Sequence, residues 1–173
     1  MGQYYYIVNT KKRQYLHGHK FGDGIKLLEF GSSGTGTMLG LAVLLADGNG
    51  RGGGDLRSQN PIVGSWAGDP IVIAGDYADD GSHVPPEDIV AYQTAAGADP
   101  EMVKYFKDKG KQITGVIPNL YNVASTCYTD ISDDVILALC DDPYTRKALI
   151  ERGAEAAKNW QPPAPKVDPF ALE

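Results

Sequence analysis

The sequence predicts an α+β fold, in which an antiparallel sheet from the N-terminal half packs against helices that come mostly from the C-terminal half. Three observations predict it. Segments rich in aromatic and β-branched residues, which favour strands, occupy residues 4–78. Helical segments with recognisable start and stop signals fill most of the chain after them. Strands and helices are separated along the chain rather than alternating, which is typical of α+β folds.

The predicted sheet begins with a hairpin over residues 4–21. YYYIVN is strand-like, NTKKR is a polar turn, and QYLHGHKF alternates in a way that predicts a second strand reaching Phe21. On that strand His17 and His19 would share one face. A second β unit is expected over residues 60–78, where IVGSW and PIVIAGDY are strand-like.

The helical prediction starts with residues 38–46, which are apolar on nearly all sides and so indicate a buried helix. Asp99 with Pro100, and Asp142 with Pro143, are typical helix starts, with an acidic cap before a proline in the first turn. We expect a single α+β domain over residues 1–160, followed by a proline-rich tail over 161–173.

Composition excludes some classes of function. A net charge of −6 argues against a broad nucleic-acid surface, because phosphate groups would be repelled. No run of about 18 apolar residues indicates a membrane span, so no membrane partner is expected. Two cysteines do not make a disulfide framework, and the simplest location is a reducing cytoplasm. The sequence does not define the oligomeric state.

The glycine-rich loop GSSGTGT, residues 31–37, carries the first functional hypothesis. It precedes the buried helix, so free backbone N–H groups and the positive helix end would meet there, as in anion sites. No Gly-Lys-Ser/Thr follows, so it is not a P-loop. We therefore predict a small-molecule-binding protein for a phosphorylated or nucleotide-like ligand; the alternative is a loop whose glycines only permit tight turns. The predicted ligand-binding residues are Ser32, Ser33, Gly34, Thr35, Gly36, Thr37 and Arg51.

The histidines carry a second hypothesis, a hydrolase that uses a His/Asp pair or a divalent metal ion as cofactor. Strand His-x-His pairs bind metals when a third ligand is present, and Asp76 follows a predicted strand. The candidate catalytic residues are His17, His19 and Asp76, and the candidate metal ligands are His17, His19, Asp76 and His83. The alternative is a half-buried face with hydrogen-bonded histidines. A third hypothesis is a non-enzymatic interaction domain, whose glycine loop and tail contact another protein.

Overall fold

The fold is built around a four-stranded sheet. The computed structural model describes residues 2–164 of the chain. Its strands are β1 (Tyr5–Asn9), β2 (Gln14–Leu16), β3 (Ile71–Gly75) and β4 (Thr129–Asp130), in the spatial order β3-β1-β2-β4. The hairpin partner β2 and the later strand β3 both run antiparallel to β1, so that Ile7 lies between Leu16 and Ile73.

The α+β class is confirmed, but the sheet is mixed rather than antiparallel throughout. The strand β4 pairs in parallel with β2, with Gln14 opposite Thr129 and Tyr15 opposite Asp130. A two-residue strand between two helices carries almost no period-two pattern, so sequence patterning does not reveal it. Its pairing brings the last third of the chain onto the N-terminal hairpin.

Helices make up most of the remaining regular secondary structure. The eight α-helices of residues 2–164 are α1 (Leu27–Gly31), α2 (Thr37–Leu45), α3 (Pro86–Ala98), α4 (Pro100–Asp108), α5 (Leu120–Cys127), α6 (Ser132–Leu139), α7 (Pro143–Glu151) and α8 (Glu155–Lys158). The expected helix starts are confirmed at α4 and α7, where Asp99 and Asp142 accept backbone N–H groups of the first turn. Of the predicted tail, only residues 161–164 are described, and they form no helix or strand.

One expected strand is shorter than predicted, and another is absent from the described residues. The second hairpin strand stops at Leu16, and residues Gly18–Phe21 form a 3-10 helix that ends at Gly22 in the left-handed conformation. The segment IVGSW consists of turns, with positive φ at Gly64 and Gly68. In the second segment glycine permits the turns, and this outweighs the β propensity of its neighbours, whereas the first strand ends where the N–H of His17 bonds to the hydroxyl of Ser132.

Apolar cores lie on both faces of the sheet, because successive strand residues point in opposite directions. Ile7 of β1 belongs to a cluster with Leu44 of α2 and the fully buried Trp66. The next residue, Val8, belongs to a second cluster with Val123 of α5. Each such side chain contributes about 1.5–3 kcal/mol by leaving water, so β1 stabilises both layers at once.

A cluster of charges fixes the hairpin turn against the segment before β3. The side chain of Asp69 is only 2% exposed, and it pairs with Lys11 at 2.9 Å and with Lys12. Asn9 donates a further hydrogen bond of 2.9 Å to the same carboxylate. The hydrogen bonds from Lys12, Asn9 and Lys11 hold the pKa of Asp69 well below its usual range, so it is ionised at neutral pH.

Candidate functional site

The two histidines of the predicted strand face lie beside a group of tyrosines. Because the strand ends at Leu16, His17 and His19 lie on the following 3-10 segment rather than along one strand face, and their ring centroids are 5.2 Å apart. The His17 ring meets Tyr6 edge-on at 5.0 Å, and Tyr6 stacks flat on Tyr121 at 4.2 Å. The expected half-buried face of Tyr15, His17, His19 and Phe21 is not formed as a unit, because His19 is exposed and Phe21 is fully buried in the core that contains Ile7.

The surroundings of His17 favour its neutral form. Burial, followed by the neighbouring charge of His19, lowers the pKa of His17, so its ring is uncharged at neutral pH. The Nδ1 atom of His19 lies 3.0 Å from the backbone oxygen of Asp23, a contact that orients the ring. Burial also raises the pKa of Tyr15 to about 12, so the phenol stays protonated.

The remaining members of the predicted hydrolase site have other neighbours. Asp76 accepts the backbone N–H of Tyr4 at 2.9 Å, directly after β3. His83 lies exposed in a turn with a positive φ of 58°. Within residues 2–164 no three His, Cys, Asp or Glu side chains are placed to hold a metal ion. The hydrolase and metal hypotheses therefore rest on the sequence alone.

The glycine-rich loop 31–37 leads into α2 as expected, and an internal carboxylate already lies at that helix end. Asp23 accepts hydrogen bonds of 2.7 Å from both the backbone N–H and the hydroxyl of Thr37, the first residue of α2. Arg152, at the end of α7, pairs with the other oxygen of the same carboxylate. A Cβ atom on Gly36 would lie 2.3 Å from the carboxylate, so glycine is required there. An external anion at this helix end would have to displace Asp23.

The other residues of this loop are placed at the surface or bonded locally. Ser33 is buried, and its hydroxyl donates to the backbone oxygen of Phe30 at 2.8 Å. The hydroxyl of Ser32 donates to Leu28 in the same way. Gly34 and Thr35 are exposed, and nothing lies within 4 Å of a Cβ atom built on Gly34. The assignment of residues 31–37 to a ligand stays a prediction.

The second glycine-rich segment, residues 48–54, also closes on a carboxylate of the chain. One oxygen of Asp55 accepts the backbone N–H groups of Gly50, Arg51 and Gly52, at 3.1, 2.8 and 3.2 Å. Successive N–H groups that converge in this way form an anion-binding nest. The nest organises a loop whose glycines would otherwise be costly to order.

This loop forms one wall of a cleft with two hollows. The first hollow, of about 570 Å³, lies between residues 48–57, the α2 helix and the α6–α7 junction. Its floor is apolar and includes Leu39, Val43 and Leu139. The second hollow, of about 830 Å³, is lined by residues 59–61, Leu137 and residues 159–164. Both volumes are in the range of small-molecule sites.

Two charged residues, Arg57 and Asp141, line both hollows. The carboxylate of Asp141 accepts hydrogen bonds from the hydroxyl of Ser58 and from the indole of Trp160. The guanidinium of Arg57 forms no ion pair with any other residue of the described range. The boundary between the hollows therefore offers one unpaired positive charge beside a fixed negative one.

The next carboxylate, Asp142, lines the first hollow and caps α7. It accepts the backbone N–H of Thr145 at 2.8 Å, and this bond is the main cause that lowers the pKa of Asp142. It is therefore ionised at neutral pH.

Sequence reasoning named Arg51, a residue of the loop beside this cleft, but not the residues that define the chemistry of the cleft. Arg57, Asp141 and Trp160 belong to no motif, and they are brought together only by the fold. The predicted Arg51 lies in the same loop but outside the lining of either hollow. The available signal was indirect: a loop with this many glycines needs something to order it.

The described helices include none long and apolar enough to cross a lipid bilayer. Comparison with known proteins gives no further guide to the site. No family model matches the chain, and no curated protein and no solved structure matches it either.

Proposed function

We propose that this protein binds a small phosphorylated or nucleotide-like molecule in the cleft between residues 48–57 and the α6–α7 junction. The observation that supports the proposal is Arg57, an exposed guanidinium without an ion-pair partner in the described residues, at the boundary of two hollows. Guanidinium groups bind phosphate oxygens through paired, charge-assisted hydrogen bonds. Arg57 would hold the anionic group of the ligand.

Carboxylates on the same wall suit the hydroxyl groups of a sugar. Asp142 is ionised and lines the first hollow, and Asp141 is its neighbour in the same lining. Ionised carboxylates accept hydrogen bonds from hydroxyl groups, as the acidic residues of dinucleotide sites do from ribose. A ligand that carries both phosphate and hydroxyl groups uses both kinds of residue.

The apolar floor would hold the least polar part of the ligand. Leu39, Val43 and Val63 line the first hollow, and Leu139 lies beneath them with 1% of its surface exposed. A sugar face or a base ring placed there would leave water, which favours binding by about 25 cal/mol for each Å² of apolar surface buried.

The proposal places the anion in the cleft rather than at loop 31–37, for a physical reason. At the start of α2, Asp23 already accepts the N–H and hydroxyl groups of Thr37 and is held by Arg152. A bound phosphate would have to expel a buried carboxylate and leave Arg152 to re-pair. Arg57 needs no such exchange.

Isothermal titration with a panel of nucleotides and sugar phosphates tests the proposal. We expect one compound to bind, and Arg57→Gln to weaken its affinity by about 10- to 100-fold, because a charge-assisted hydrogen bond contributes about 1.5–3 kcal/mol. Arg51→Gln is the matched control, since Arg51 is an exposed arginine of the same loop outside the lining. It should leave affinity unchanged.

A third variant separates the two glycine-rich loops. Gly34→Val adds bulk over the backbone of loop 31–37 in open space, so the fold tolerates it. Unchanged binding by Gly34→Val is the expected result. If Gly34→Val abolishes binding while Arg57→Gln does not, or if no phosphorylated compound binds, the cleft proposal is overturned.

We further infer that the protein functions in the cytoplasm. Both cysteines are free thiols, with Cys140 buried and Cys127 half-buried. Free thiols persist in reducing compartments, and phosphorylated metabolites are abundant there.

A further inference from the structure

We propose that two copies of this chain join edge to edge through β3, in antiparallel orientation, to form one continuous sheet. The partner is a second copy, and the surface is the outer edge of Ile71–Gly75. The two four-stranded sheets would then make one sheet of eight strands. This inference is independent of the ligand proposed for the cleft.

The first support is that β3 is one of the two edge strands of the sheet and that its outward backbone groups are open. The N–H of Asp76 donates to the backbone oxygen of Tyr4 at 3.0 Å, and the strand register, continued by one residue, places these residues opposite each other. Hydrogen-bonded pairs alternate along an antiparallel ladder, so Ala74 and Val72 also bond to β1. Ile71 and Ile73 therefore direct their N–H and C=O groups away from the sheet.

These outward groups have no backbone partner among the described residues. Neither Ile71 nor Ile73 takes part in a backbone hydrogen bond outside the ladder. Unpaired strand edges are templates for pairing with another strand. At β3 two residues, Ile71 and Ile73, have open backbone N–H and C=O groups. These groups are sufficient for a short intermolecular ladder.

The second support is that β3 lacks the features that protect edge strands. The segment IVIAG contains no charged residue and no proline, and it pairs with β1 through five consecutive residues without a bulge. Ile73 lies on the same sheet face as the buried Ile7 opposite it, yet 42% of Ile73 is exposed. A partner strand would cover this side chain, because Ile73 of one copy would meet Ile73 of the other.

The third support is charge complementarity, which identifies the partner as a second copy. The end of β3 near Asp69 carries Lys11 and Lys12 paired with one carboxylate, and Lys11 is 67% exposed. The opposite end leads into the acidic residues Asp76, Asp79 and Asp80. Antiparallel pairing about a two-fold axis places the basic end of each copy beside the acidic end of the other.

Sedimentation velocity of the purified chain over a range of concentrations tests the inference. We expect a species with twice the mass of one chain, and we expect Ile73→Lys to convert it to the monomer. Val90→Lys is the matched control, because Val90 is a 61% exposed apolar residue on α3, away from the β3 edge. It should remain dimeric.

A second variant keeps the test valid if Ile73→Lys disturbs folding. Ile73→Thr retains β-branching, and thus strand propensity, while it removes apolar surface. We expect Ile73→Thr to form a weaker dimer, and we expect its monomer to have the same melting curve as the wild-type monomer. A wild-type chain that stays monomeric at every concentration, or a folded Ile73→Lys variant that dimerises like the wild type, overturns the proposal.

Discussion

Replacing Asp23 by alanine is the most direct test of how the N-terminal region is held. Asp23 lies outside α2 in sequence, 14 residues before Thr37, and yet its carboxylate caps that helix. The same carboxylate pairs with Arg152, which comes from the far end of the chain. One side chain thus connects the start of α2 to the end of α7.

The expected loss of stability follows from these contacts. Loss of an N-cap costs about 1 kcal/mol, and a buried donor left without an acceptor costs about 1–3 kcal/mol. Thr37 is buried, so its N–H and hydroxyl groups bear that second cost. The side chain of Arg152 is 31% exposed and can regain water, so it adds little. We therefore expect Asp23→Ala to cost about 3 kcal/mol.

Urea unfolding monitored by tryptophan fluorescence measures this loss, because Trp66 is fully buried. Asp99→Ala is the matched control: Asp99 caps α4 through the N–H of Glu101, but it is exposed and has no ion pair. It should cost about 1 kcal/mol. For a chain of this length a loss of 3 kcal/mol lowers the melting temperature by roughly 6–12 °C. The reasoning is refuted if Asp23→Ala costs no more than Asp99→Ala.

Three further perturbations have defined outcomes. Gly36→Ala should be strongly destabilising in urea unfolding, since its Cβ atom would meet the Asp23 carboxylate. Gly34→Ala places its Cβ atom in open space and should change stability by less than about 0.5 kcal/mol. Equal effects of the two variants would contradict the packing of Gly36 against Asp23. The pKa of Asp69 is depressed in the folded protein, so its ion pairs stabilise the fold above the unfolded pKa of about 3.9. This contribution is lost as the pH falls through the folded pKa. Asp69→Asn should therefore lose less stability between pH 7 and pH 3 than the wild type does. Burial raises the pKa of the Cys140 thiol to about 11 and also raises that of Cys127, so a thiol reagent at neutral pH should label both cysteines rapidly only after denaturation. Rapid labelling of Cys140 in the folded state would show that its environment is not buried.

The sequence was informative wherever local chemistry decides the structure. The apolar run after Thr37 forms the helix α2, of which one part is buried and Leu45 is 38% exposed, and Asp99 and Asp142 cap their helices through neighbouring N–H groups. The hairpin around Lys11 and the strand at Ile71–Gly75 also follow from local patterning.

Local patterning failed where the decisive partner is distant. The strand expected to reach Phe21 ends at Leu16, because the N–H of His17 instead bonds to the hydroxyl of Ser132 and a 3-10 turn follows.

The candidate site shows the same limit. The sequence indicates that ordering the glycine-rich loops costs backbone entropy. It does not indicate which carboxylates fill these loops. The cleft depends on Ser58 and Asp141, which are 83 residues apart and meet only in the folded chain. A pattern within a short window cannot contain such a pair.

The parallel pairing of β2 with β4 has a consequence for how the chain acquires its structure. Residue 14 cannot pair with its strand partner until residue 129 has been synthesised. The bonds from His17 to Ser132 and from Asp23 to Arg152 join residues with similar separations in sequence. During synthesis the N-terminal hairpin therefore emerges long before the segment that completes its sheet. Contacts of such high sequence separation slow folding, because the entropy of closing a long loop is lost before the contacts form. A ribosome-bound chain ending before β4 would expose the strand edge of Gln14–Leu16, and exposed strand edges favour aggregation during folding.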